Sequence, residues 1–301
     1  MGSPLRLTAS VEPPVSTSVE AAWSLVRAEF EASEEVMSKF RATSEITQLN
    51  RSALEGRPRR LSRRLRQALV TCDRAWRLTD GRFDPRVLVH LERLGDGGVP
   101  VGVRPASDPP AGPGQRIVDW KATDWATLAA PVDLGGIGKG LALRWAADAL
   151  RHLGLRDFLI DAGGDIATAG RPPDGGAWRV GIEDAAGGAS PVAVIAITDE
   201  AVATSSVRRR QWRNNGQVVH HLIDPRTGEP GGNGLLAVTV AGPDPAWAEV
   251  WSKTLFLEGP TRIGALARRR GLAAWWITDD GSLEMTPAGR ARTLWVASED
   301  G

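Results

Sequence analysis

The chain has one cysteine, Cys72, which excludes an internal disulfide and a cysteine-based metal cluster. No apolar run approaches the ~18 residues that a membrane-spanning helix requires. Neither sign of charge is in excess. The 37 Lys and Arg against 36 Asp and Glu leave a net +1, with no overall pull toward nucleic acid or an anionic membrane. The first residues show neither the basic-then-apolar pattern of a secretion signal nor a lipidation signal, so the cytoplasm is the expected compartment. Neither an internal repeat nor a clean linker is found, so a single domain over residues 1–301 is expected. What is present is 42% hydrophobic residues and length enough for a large core.

The densest feature is Val132-Asp133-Leu134-Gly135-Gly136-Ile137-Gly138-Lys139-Gly140. It reads as a strand end, a glycine loop with one lysine, and a helix from near Leu141. Glycines let backbone N–H groups come close to a ligand. A helix start adds the positive end of its dipole, and Lys139 adds a point charge. Together these make an anion site, usually for a phosphate. The plainer reading is a tight turn whose glycines relieve crowding. The common phosphate loops do not fit. A P-loop needs glycine where Asp133 stands and Ser or Thr where Gly140 stands. A dinucleotide fingerprint starting at Gly136 needs glycine where Leu141 stands.

Along the chain, Pro4 to Ser10 alternates as a first strand, and Thr17 with Glu20 has capping-box spacing. Val19, Trp23, Val26 and Phe30 then mark one helix face. Thr43 or Ser44 caps a short helix. Six arginines fall between Arg57 and Arg66, but Leu61, Leu65, Leu69, Cys72 and Trp76 form an apolar face there. A solvated basic face is therefore preferred to a nucleic-acid patch, and no nucleic-acid partner is expected. Asp96 to Gln115, rich in Gly and Pro, is the candidate mobile loop. Strands are expected near Arg116–Trp120, Asp157–Asp161, Trp178–Ile182, Val192–Ile197, Ala201–Thr204, Gln217–Ile223, Leu235–Ala241 and Ala273–Thr278. Helices are expected at Leu141–Leu153, Ala246–Leu257 and Thr261–Arg270. The mixture implies an α+β fold, a mainly antiparallel sheet with segregated helices.

Three further segments carry chemistry. They are Ala203-Thr204-Ser205-Ser206, then His220-His221-Leu222-Ile223-Asp224-Pro225-Arg226-Thr227-Gly228, then Glu249 to Lys253. An unperturbed histidine titrates near physiological pH, so His221 could serve as a general base; taken in isolation it reads rather as a half-buried strand histidine. Asp224 to Gly228 alone is consistent with a turn. Asp161 and Asp165, at a glycine-rich strand end, could bind a ligand or cap a turn.

Taken together these segments resemble the FAD:protein FMN transferase (ApbE-like) family, in order and over nearly the whole chain. Met1-Gly2-Ser3 is similar to its Met-Gly-Thr, and Met37-Ser38-Lys39-Phe40 through Ser44-Glu45-Ile46 and Asn50 to its Met-Ser-x-Tyr/Phe…Ser-Glu-Ile…Asn. Phe83-Asp84-Pro85 matches Phe-Asp-Pro, and Asp133 to Gly140 matches Asp-Leu-Gly-Gly-Ile-Ala-Lys-Gly with one change. Ala162-Gly163-Gly164-Asp165, Ala203-Thr204-Ser205 and His221 to Gly228 complete the set.

The resemblance implies an ApbE-like, T-fold-related architecture. It implies an enzyme that splits the FAD pyrophosphate and joins FMN to a Ser or Thr hydroxyl of an acceptor protein through a phosphodiester, releasing AMP with magnesium assistance. The alternatives are an FAD-binding protein with little transfer, or a pyrophosphatase giving FMN and AMP. On this resemblance Lys139 neutralises phosphate charge and His221 is the base. Met37, Glu45, Phe83, Asp84, Gly135, Gly136, Gly138, Lys139, Asp165, Ser205, Asp224 and Arg226 are the candidate FAD contacts, with Phe40 or Phe83 against a ring. Glu249 and the Gly136 carbonyl are the candidate metal ligands. The family's helix carries Asp and, four residues on, Thr; here Glu249 and Lys253 stand at those places, and an ammonium cannot coordinate magnesium. Ser206 stands where the family often has glycine.

Overall fold

The computed structural model describes residues 3–10, 18–98 and 116–297. Strand β1 (Leu5–Ala9) is followed by helices α1 (Val19–Met37) and α2 (Glu45–Leu54), strand β2 (Arg59–Arg60) and helix α3 (Arg63–Leu78). A 3-10 turn at Pro85–Val87, helix α4 (Leu88–Arg93) and the hairpin β3 (Val118–Ala122) and β4 (Trp125–Leu128) come next. Helix α5 (Gly138–His152) leads to β5 (Phe158–Ala162), β6 (Asp165–Ala169), β7 (Trp178–Ile182), β8 (Ala193–Ile197) and β9 (Ala201–Ser206). The hairpin β10 (Gln211–Asn214) and β11 (Gln217–His220) precedes β12 (Leu235–Gly242), α6 (Pro245–Glu258) and α7 (Pro260–Arg269). Strands β13 (Ala273–Thr278) and β14 (Leu283–Met285), helix α8 (Pro287–Arg290) and β15 (Thr293–Val296) close the chain. Among the described residues no helix is long and apolar enough to cross a membrane.

These elements group into two compact units. The first is built from Glu31–Gly138 and Arg210–Gly231, the second from Gly2–Phe30, Lys139–Arg209 and Gly232–Gly301.

The second unit contains a seven-stranded sheet in the order β1-β5-β6-β9-β12-β13-β14 and a three-stranded sheet in the order β15-β8-β7. Every pairing in both is antiparallel. Side chains alternate across a strand. Trp178, Val180 and Ile182 of β7 and Ala193, Ile195 and Ile197 of β8 therefore point one way, into a buried cluster with Ile166, Val202 and Trp275. Helix α6 packs on β9 and β12. Asp244 caps that helix by accepting the Trp247 N–H at 3.0 Å, and Pro245 occupies its first turn.

The first unit holds α2, α3, α4, the sheet β2-β4-β3 and the separate hairpin β10-β11. Val87, Leu91, Leu94, Val219 and Ile223 form one of its buried clusters. Buried Asn50 pins the strand entering the glycine loop. Its amide donates to the Val132 carbonyl at 2.9 Å and accepts the Val132 N–H at 2.9 Å.

Several local expectations are corrected. The strand expected at Gln217–Ile223 ends at His220, and among the described residues it pairs with β10 alone rather than joining the large antiparallel sheet. Ser18 accepts the Ala21 N–H at 3.1 Å and so caps α1, while the expected cap Thr17 lies outside the described residues. Val19 is exposed rather than on the buried face. Residues 99–115 of the proposed mobile loop also lie outside the described residues, and its first residue, Asp96, is buried in ion pairs.

Candidate active site

Helix α5 starts inside the glycine stretch, at Gly138 rather than near Leu141. The Ile137 and Gly138 N–H groups donate to the Leu134 carbonyl at 3.1 and 2.8 Å, and Asp133 accepts the Gly135 N–H at 3.0 Å. A Cβ on Gly140 would lie 2.5 Å from the Ala246 Cα and the Pro245 carbonyl oxygen. Gly140 is therefore where the backbones of α5 and α6 touch. Its N–H donates to Glu249 Oε2 at 2.8 Å. The N–H groups of Gly135, Gly138 and Gly140 are all taken by protein acceptors, so the loop offers a narrower anion cradle than its glycine content suggests.

What the second unit assembles around Lys139 is a charged cluster. The Lys139 ammonium, with its side chain 28% exposed, is ion-paired with Asp165 of β6. Asp165 also accepts the Thr204 N–H of β9 at 3.1 Å. Burial pulls the lysine down, but the carboxylates of Asp165 and Glu249 outweigh it and hold the ammonium above the ordinary lysine value. Glu249 of α6 is 6% exposed. Burial pushes its carboxyl up to about 7; Lys139, the Gly140 N–H and Lys253 oppose the rise and Asp165 reinforces it. Ser252 donates to the Glu249 carbonyl at 3.0 Å, so at 2.9 Å from it Ser205 is the donor of the Ser205–Ser252 bond. Thr254, which follows Lys253, gives its hydroxyl to the Val250 carbonyl at 2.8 Å. A cavity of about 410 Å³ in the same unit is lined by Lys139, Asp165, Thr204 and Arg209.

The first unit holds the remaining predicted residues. His221 Nδ1 lies 3.3 Å from the Arg210 carbonyl oxygen. A carbonyl only accepts, so that bond puts the proton on Nδ1 and the lone pair of the neutral ring on Nε2. The neighbouring His220 has the opposite arrangement. Its Nδ1 accepts the Leu222 N–H at 3.3 Å, and burial holds the ring below the ordinary histidine value. Asp224 is gripped through both oxygens by buried Arg82 at 2.8 Å, while Arg226 is exposed. Asp84 caps the turn at Pro85 and pairs with fully buried Arg86 at 2.6 Å. Glu45 accepts the Ser62 N–H at 2.6 Å. These three carboxylates hold the backbone in place. Met37 is buried, and a Cβ on Gly138 would lie 3.9 Å from its methyl group. Gly135 is exposed and Gly136 buried. Phe83, 2% exposed, is a core residue, whereas Phe40 exposes 54% of its surface.

One group was missed by the sequence reading. Lys39, nearly fully buried, pairs with Asp96 at 2.5 Å and Asp133 at 3.4 Å, and Arg210 pairs with the other Asp96 oxygen at 2.5 Å. The Lys39 ammonium and the Arg210 guanidinium lie 5.5 and 4.9 Å from the Phe40 ring centroid. No spacing rule links positions 39, 96 and 210, so only the fold brings them together.

The family model described as ApbE family matches residues 1–276. The chain belongs to the ApbE family. A Klebsiella pneumoniae protein called FAD:protein FMN transferase is 27% identical over 274 residues, covering 87% of this chain and 78% of that one. One of the same name from Haemophilus influenzae is 28% identical over 265 residues, covering 81% and 75%. The fold is similar to that of a structure named flavin transferase ApbE from Vibrio cholerae, with a TM-score of 0.79, 24% identity, and 97% and 96% of the two chains covered. This ApbE family fold is the α+β arrangement expected from the pattern of strands and helices.

Proposed function

We propose that this chain is an FAD:protein FMN transferase. The observation that carries the reading is the alignment of proteins bearing that name over more than four-fifths of the chain. In the reaction, a Ser or Thr hydroxyl of an acceptor protein attacks the FMN phosphorus of FAD. An O–P bond forms, the bond from that phosphorus to the bridging oxygen breaks, and AMP leaves with the oxygen.

Two residues are assigned to the chemistry. His221 takes the hydroxyl proton on Nε2, the nitrogen left with a lone pair by the Nδ1 bond to Arg210. Lys139 offsets charge that builds up on the phosphate oxygens, and Asp165 fixes where its ammonium sits. Of the ring-packing candidates we assign Phe40, because Phe83 has no surface to offer. Met37 and Gly136 of the first unit, and Asp165 and Ser205 of the second, are assigned as FAD contacts. Glu45, Asp84 and Asp224 act indirectly, by fixing the loops beside them.

Magnesium is the cofactor the family implies, and Glu249 would be its carboxylate ligand. The donor set does not fit. Glu249 accepts the Gly140 N–H, feels two lysines, and holds its proton to about pH 7. Asp165 is engaged by Lys139 and Thr204. Among the described residues no three His, Cys, Asp or Glu side chains converge as a metal group. Hard divalent cations need oxygen ligands and are repelled by ammonium groups. No step is therefore routed through a metal.

The test is incubation with FAD and candidate acceptor proteins, followed by in-gel flavin fluorescence and AMP measurement. Covalent flavin with equimolar AMP is the expected result. FMN and AMP without labelled protein would make the chain a pyrophosphatase. Bound FAD without AMP would make it a carrier and sink the proposal.

A further inference from the structure

Among the described residues two strand edges are open beside the cavity of the second unit: β7 pairs with β8 on one side only, and β1 pairs only with β5 at the margin of the large sheet. An edge strand exposes a row of unpaired N–H and C=O groups, which an extended peptide can complete. Both edges border the same cavity of about 410 Å³, through Arg6 of β1 and Arg179 to Ile182 of β7. Leu159, Val180 and Val202 give it an apolar wall.

The charges around it do not balance. Lys139 is matched by Asp165, and Arg209 by Glu183 at 2.5 Å. Asp161 stands opposite Arg6 in the β1–β5 register and accepts the Gly164 N–H at 2.7 Å. Arg179, exposed on β7, has no ion-pair partner among the described residues. Four cations (Arg6, Lys139, Arg179, Arg209) face three acids (Asp161, Asp165, Glu183), so the rim carries one positive charge over.

We infer that this groove is where the acceptor protein docks its Ser- or Thr-bearing segment. The inference rests on the flavin-transfer reading and names the partner's seat. The segment lies extended along the free edge of β7, completing its backbone hydrogen bonds. Alternate residues face the apolar wall, as strand geometry requires. An acidic residue of the segment meets Arg179. Lys139, the residue assigned to the phosphate, lines the same groove, so a segment seated there lies beside it.

The test uses the full chain, FAD and a short synthetic peptide of alternating Val and Asp around one Thr. A second peptide carries Lys for Asp, and a third is N-methylated at alternate backbone amides. The acidic peptide is expected to bind and to slow amide exchange across Trp178–Ile182. Arg179→Glu should weaken it roughly tenfold and the Lys peptide should then regain affinity, since rim charges steer association. N-methylation should abolish binding, and FAD affinity, read by flavin fluorescence, should be the same in both proteins. Absence of acidic-peptide binding, or tolerance of both charge reversal and N-methylation, overturns the inference. So does an Arg179→Glu protein that loses FAD instead, which would give the cavity to the nucleotide. If the unaltered chain flavinylates no acceptor protein, it is the transfer reading that fails, and peptide binding reports on the groove separately.

Discussion

Glu249→Gln isolates the group on which the charged cluster turns. Glutamine keeps an oxygen for the Gly140 N–H and has nearly the same volume, so the packing of α5 on α6 survives. What it removes is a titration. An unfolded glutamate releases its proton near 4.5, whereas folded Glu249 holds it to about 7. Between those values the folded state binds more protons than the unfolded state, so stability falls as pH rises. Each pH unit is worth about 1.4 kcal/mol for one proton. Over the interval from 4.5 to about 7 the loss comes to about 3 kcal/mol, complete above pH 7 and absent below pH 4.5. Denaturant unfolding of both proteins from pH 4.5 to 8 measures it. The variant should gain about 3 kcal/mol on the parent across that range. Parallel curves would refute the reasoning, because they would mean that Lys139 and Lys253 keep Glu249 ionised throughout.

Three other outcomes are expected. Asn50→Ala leaves both backbone groups of Val132 unpaired in the core and should cost about 2–4 kcal/mol, read by denaturant unfolding; a loss under 1 kcal/mol would discount the pin. Gly140→Ala puts a methyl group against the backbone at Pro245 and Ala246 and should cost about 2 kcal/mol or more, so an unchanged midpoint would mean the helices separate freely. Flavin transfer should change less than about twofold when EDTA is added, since no phosphate charge is assigned to a metal; loss restored by magnesium would contradict the fit of the donor set.

The regular elements were legible because periodicity is local. The faces of α3 and α5 and the strands at Phe158–Ala162, Trp178–Ile182 and Ala273–Thr278 follow from apolar spacing within a few residues. Pairing partners are not local. Gln217–His220 looks like any other strand, and nothing in it says that it pairs only with Gln211–Asn214. The site shows the same division. Lys139, Asp165 and Glu249 each stood out in its own motif, but the bonds that define their state cross 26 and 109 positions. The Lys39–Asp96–Arg210 group had no motif at all.

Gly140 shows how a composition argument can point to the right place for the wrong reason. Four glycines in a short stretch suggest backbone N–H groups converging on an anion. Three of those groups are already bonded, and Gly140 is small because two helices meet there. The positive field then comes from side chains. Lys139 and Lys253 act on Glu249, which burial keeps protonated to about pH 7, so near neutral pH this carboxyl cancels less of the positive field at Lys139 than an ionised carboxylate would. An anion held by ammonium groups, rather than by a nest of amides, should loosen with added salt. That dependence follows from the same charge balance that, among the described residues, makes Glu249 a poor ligand for a divalent cation.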